Sequence, residues 1–271
     1  MQIVTALVIS VSEVERFVMA LWESQSVQFV WFLPDVTNVR ADQIYLLVTG
    51  DEAEIVQRNK VPGPANPLLG LASGTRGARA YQVQLQPGRL DVVVSPAETQ
   101  DLDDAMPLMD TAAILADIES RAGEVSAAVG PAVRLSVVAN LIKPEVDEQA
   151  ATRAFLDVTE YELGYSDVRD PILQVNRRKA LQDVDVQINR VMRFGVAATQ
   201  HFVFQMIPQV GMHSGATPIS KQSFGTSLTL DFNTVPTGRL IEAVEQGIIF
   251  RQLIAETLRV GASVSPKALG D

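Results

Sequence analysis

Polar and apolar positions alternate most regularly between Asp183 and Met206. Val184, Val186, Ile188, Met192 and Phe194 share one parity, and Asp183, Asp185, Gln187, Asn189 and Arg193 the other, which is the period of a strand with one buried face. Phe202, Phe204 and Met206 continue the apolar parity in a second run. With Gly195 to Thr199 as the connection, antiparallel pairing sets Met192 opposite Phe202, Arg193 opposite His201 and Asn189 opposite Gln205. Arg190 falls among the apolar residues, where a guanidinium requires a carboxylate partner or a path to water. Leu181, Val184, Ile188 and Val191 also fit a helical period, but strict alternation of β-branched residues favours the strand.

The same patterning predicts the other elements. Ile3 to Val11 reads as a strand, and Ser12 with Glu15 as a capping box opening a helix that ends near Trp22. Val27 to Leu33 and Gln43 to Thr49 are apolar runs of strand length. Lys60 to Ala80 is rich in proline and glycine and reads as an irregular loop. Tyr81 to Val94 is a hairpin about Pro87-Gly88, pairing Leu85 with Leu90, Val83 with Val92 and Tyr81 with Val94. After the acidic stretch Glu98 to Met106, a helix runs from Pro107 to a stop at Gly130-Pro131. Val133 to Ile142 is a strand and Asp147 to Leu163 a helix; the pattern is weak from Tyr165 to Lys179. Gln209 to Phe224 reads as a loop, Ser227 to Phe232 as a strand, and Pro236 to Arg259 as the approach to and body of the last helix, with a frayed tail from Gly261.

This order describes an α+β protein with antiparallel sheets and helices packed on one face. The two halves share a plan of sheet plus covering helix, so the expected organisation is an N-terminal lobe, 1–130, and a C-terminal lobe, 131–271, with a single domain as the alternative. The run YQVQLQPGRLDVVV, and SLTLDFNT followed by a long helix, resemble a sporadically distributed group of uncharacterised bacterial proteins. The resemblance lies in element order from about Tyr81 to Leu258, and it implies no activity and no residue roles.

Composition narrows the functional classes. Apolar residues make up 47% and charged ones 20%, so the chain has material for a core. A net charge of -10 opposes a phosphate backbone unless cations gather on one face, and Arg177, Arg178 and Lys179 are a short cluster, so nucleic acid is not an expected partner. There is no cysteine, which removes disulfides and thiolate chemistry and fits a cytoplasmic protein. Ile3 to Val11 has no basic leader, and no apolar stretch has the length of a membrane span.

Candidate chemistry is sparse. His201 and His213 form no HExxH pair, and Asp101, Asp103 and Asp104 lack the glycine and glutamate of a calcium loop, so neither a metal nor a cofactor is expected. GxSxG, Walker A and GxGxxG openings are missing. The remaining constellation is the polar face carrying Asp185, Gln187, Asn189, Arg193, His201 and Gln205. Lining a groove, it would bind a small ligand, with Asp185 or His201 for acid-base work and Arg193 for an anion. Facing water, it is the ordinary outer face of a sheet. The expectation is a non-catalytic protein-interaction or assembly subunit, binding a protein partner or itself. The alternative is a small-ligand-binding protein or enzyme using the face around Arg193 and His201.

Overall fold

The computed structural model describes residues 22–60, 63, 67–98, 107–162, 168–206 and 216–270, with the side chains of 201–206 and 216–220 outside the description. The strand expected at Ile3 to Val11, the Ser12 capping box, the acidic stretch beyond Glu98 and the surroundings of His213 fall outside these residues. Nine strands are described: β1 Glu23–Phe32, β2 Ile55–Arg58, β3 Gly70–Arg76, β4 Arg79–Gln86, β5 Arg89–Pro96, β6 Arg134–Glu145, β7 Ile172–Ala180, β8 Gln187–Met206 and β9 Ala216–Thr234. They form one antiparallel sheet in the spatial order β2-β3-β4-β5-β1-β6-β9-β8-β7. Among the described residues four helices accompany it: α1 Ala41–Thr49, α2 Thr111–Val129, α3 Glu148–Thr159 and α4 Ala243–Ser263. The protein is α+β. Each half runs through one central strand (β1 or β6), a short helix, a group of outer strands whose last member returns beside the central one, and a long helix. Because β1 pairs with β6, residue 130 divides the chain but not the sheet.

One face of the sheet carries the core. Ala72, Val83, Val92, Phe29, Val137, Phe232 and Arg190 stand in register across seven strands, and the first six are wholly buried. All four helices meet this face. Phe29 and Trp31 pack on Phe250 of α4, Trp31 Nε1 donates to Ser126 of α2, Thr226 donates to the Ala151 carbonyl of α3, and Tyr45 of α1 lies against Gly74. The hairpin about Pro87-Gly88 has the register read from the sequence, closed by a two-residue turn with Gly88 at φ 74°.

Several expectations are corrected. The run Gln43 to Thr49 is helical: Ala41, Ile44, Tyr45 and Val48 are buried at helical spacing, and Gly50 ends the helix in the left-handed region. Part of the expected loop Lys60 to Ala80 is β3. Its glycines mark close approach, since a Cβ at Gly74 would lie 2.6 Å from the Tyr45 hydroxyl and one at Gly70 3.4 Å from Ala41 Cβ. The weakly patterned stretch before Lys179 contains β7, an edge strand that buries little. The connection expected at Gly195 to Thr199 is continuous strand, pairing Gly195 with Ser227 and Thr199 with Ser223, so β8 is not folded back on itself. β9 correspondingly begins within the expected loop.

The tail is not frayed. α4 continues to Ser263, a 3-10 turn spans Pro266–Gly270, and Leu269 is fully buried. Arg190, at 2% exposure, finds the carboxylate its position requires: Nη1 donates to Glu256 Oε1 at 2.7 Å and Nη2 to the Leu269 carbonyl at 2.8 Å. Lys179 and Arg259 donate to the same carboxylate, and Arg259 also binds the Ala268 carbonyl. Burial pushes the Glu256 pKa up, but hydrogen bonds from Arg259, Lys179 and Arg190 outweigh it and bring the value down to about 2.

A folded-state pKa below the ordinary 4.5 contributes stability that is present above pH 4.5 and lost as pH falls toward 2. Urea unfolding followed over that window should show the wild-type protein losing about 3 kcal/mol more than Glu256→Gln. At pH 7 the variant should be less stable by about 3–5 kcal/mol, since the buried Arg190 loses its carboxylate partner.

Candidate functional site

The face of the sheet opposite the helices is polar, and its centre is built from four adjacent strands. Asp91 of β5, Val30 of β1, Ser136 of β6 and Asn233 of β9 stand in one register row, continued by Asn189 of β8. The neighbouring row holds Val93, Gln28, Val138 and Asp231 on the same four strands. Counted from opposite edges, the rows begin Asp91, Val30, Ser136 and Asp231, Val138, Gln28. Gln28 Nε2 donates to Asp91 at 2.7 Å and Ser136 Oγ to Asp231 at 2.9 Å. The two-fold relation of the topology therefore extends to the hydrogen bonds.

Each carboxylate has further partners. Arg89 grips Asp91 through Nε and Nη2 at 2.8 Å, and Asp91 is 2% exposed. Asp231 accepts from Asn233 Nδ2 at 2.9 Å, and Asn233 Oδ1 accepts from Arg134 Nη2 at 2.7 Å and Asn189 Nδ2 at 3.0 Å. A smaller chain runs from Thr229 to Asn140 to Ser26. At one end of the face the guanidinium groups of Arg89 and Arg134 lie 5.3 and 5.1 Å from the centre of the Phe32 ring. At the centre of this surface the side chains of Gln28, Asp91, Ser136, Asp231, Asn233 and Asn189 satisfy one another, which fixes their rotamers.

The geometry limits the chemistry. With β1 and β6 between them, Asp91 and Asp231 are three strand spacings apart, about 14 Å. The carboxylate pairs that cleave glycosidic bonds stand roughly 5 to 10 Å apart, closer than these two. Among the described residues no group of His, Asp and Glu is placed to hold a metal ion.

The six residues singled out from the sequence do not converge. Asp185 is exposed in a bend before β8 and raises the Arg239 pKa as a minor contribution beside the Glu245 hydrogen bond. Gln187 is exposed opposite Ala180. Asn189 joins the central network. Arg193 is exposed between Gln174 and Thr229, and its side chain makes no hydrogen bond or ion pair with the described residues. His201 lies opposite Lys221 and Gln205 opposite Thr217, not opposite Arg193 and Asn189. From Arg193 to His201 the strand runs about 26 Å, which separates the proposed acid-base group from the proposed anion holder. The residues that do meet were visible only as outward positions: Gln28 within SVQFVWFL, Asp91 within RLDVVV, Ser136 within VRLSVV, Asp231 and Asn233 within LTLDFNT. Strand order brings them together, and strand order is not written in any local pattern.

Compared with family models, curated proteins and solved structures, the chain matches none of them. No helix among the described residues is long and apolar enough to cross a membrane.

Asn233 is the hub of the network, at 2% exposure with three partners. Asn233→Ala should lower the unfolding free energy by about 1–3 kcal/mol. Gln82→Ala, at the rim, where the side chain accepts only from Gln84, should change it by less than about 0.5 kcal/mol, both read from urea denaturation.

Proposed function

We propose that the protein is a non-catalytic interaction subunit whose sheet face opposite the described helices docks a protein partner. The observation that carries this reading is the mutual satisfaction of the polar groups at the centre of that face. Carboxylates already held by Arg89, Gln28, Ser136 and Asn233 make a fixed pattern of donors and acceptors for recognition. Nine strands at sheet spacing make a surface about 38 Å across, the scale of a protein contact. A net charge of -10 supports a protein rather than a nucleic acid on this surface, and the absence of cysteine supports a cytoplasmic setting.

A second reading has its own observation. Arg193 is an exposed cation opposite Thr229, which donates to Asn140, an arrangement suited to a small anionic ligand. Asp185, Gln187, His201 and Gln205 would then flank it along the strand rather than surround it.

A photo-crosslinking residue placed at Gln82 or Val138 on the docking face should trap a discrete protein species in cells, while one at Glu124 on the exposed side of α2 should not. Equal trapping at both places overturns the docking reading. Native mass spectrometry separates the second reading: a retained small molecule, lost in Arg193→Ala, would establish it in place of the first.

A further inference from the structure

The long hairpin of β8 and β9 outruns the sheet. β7 pairs with β8 only as far as Gly195, and β6 with β9 only as far as Phe224. Val196–Met206 and Ala216–Ser223 then continue as a two-stranded arm, about 36 Å long on the β8 side, paired only with each other among the described residues. An unpaired strand edge presents a row of amides and carbonyls to any other strand, and proteins blunt such edges with charge, proline or short length.

Three of the four edges are blunted in these ways. β2 has four residues. β7 carries Arg177, Arg178 and Lys179. The β9 side of the arm contains Pro218, which lacks an amide hydrogen, and Lys221. The β8 side, VAATQHFVFQM, has no Asp, Glu, Lys or Arg and no proline or glycine, and it is rich in strand-forming residues. This edge is therefore left able to pair.

We propose that the β8 edge, Val196–Met206, pairs antiparallel with the same edge of a second copy of this chain. Self-pairing of one edge about a two-fold axis closes, consuming both free edges and leaving no site for further addition. Charge bears on the place. Two copies each carrying -10 repel, and the repulsion is least along a segment without charged side chains. The contact would add roughly ten backbone hydrogen bonds. It involves a different surface from the docking face and does not depend on that reading.

The test is sedimentation equilibrium of the full chain with Ala198→Lys/Gln200→Lys as the variant. Both positions are exposed, so neither substitution enters the core, and lysines on an edge strand oppose pairing. The expected result is a wild-type dimer with a dissociation constant in the micromolar range or tighter, weakened at least about tenfold in the variant. Amide exchange supplies the second readout: slowing in Val196–Met206 should rise with wild-type concentration and not with that of the variant, while β1 and β6 stay equally protected in both. A wild-type monomer at about 100 µM overturns the proposal, as does a dimer the lysines leave intact.

Discussion

The pairing of β1 with β6 is the contact on which the rest of the molecule depends. It runs from Glu23 against Ile142 to Phe32 against Arg134, interrupted by one irregularity near Ser24. Its inward residues, Val27, Phe29, Trp31, Leu135, Val137 and Ala139, are buried without exception. On one side it lays the floor on which α2 and α4 meet; on the other it sets Val30 and Val138 between the two aspartates. Without this seam each half would expose its central strand, and neither the continuous core nor the polar centre would exist.

Local chemistry accounts for much of the fold. The hairpin about Pro87-Gly88, the stop at Gly130 and the strand at Ile188 to Phe194 follow from alternation and turn residues, which act within a few positions. Arg190 was legible as a charge needing a carboxylate, although Glu256 sits 66 positions away and could not be named in advance. Failures share a cause. Gly70 and Gly74 read as loop punctuation because the reason for them, Tyr45 and Ala41, lies on another element. Gln43 to Thr49 looked like a strand because a short apolar run carries both periods, and burial against β3 and β4 decides between them. Gly195 suggested a turn, whereas it is a place where Ser227 and the Pro171 carbonyl come close.

The site shows the same division more sharply. Sequence parity correctly assigned Asn189 and Arg193 to one face of β8, and the hairpin pairing that sets the apolar residues of β4 and β5 on one face leaves Gln82, Gln84 and Asp91 on the other. It could not say that these faces are the same surface, nor that β1, β6 and β9 stand between them. A polar face spread over nine strands has no signature along the chain, because each strand contributes two or three residues. By contrast, the Glu256 cluster gathers three cations on one anion to fasten the tail, a task for which a buried charge is suited when every partner is present.

The central seam also has a kinetic meaning. The outer pairs, β3 with β4 and β4 with β5, join neighbours in the chain and close over short loops. β1 with β6 joins segments separated by all of α1, β2 to β5 and α2, and β6 with β9 spans α3, β7 and β8, so assembly of the central strands carries a large loop-closure entropy. A chain caught before that event carries two finished meanders and two bare central strands rich in aromatic and β-branched residues. The step that unites the molecule is thus also the step at which a slow folder would be most exposed to its neighbours in the cell.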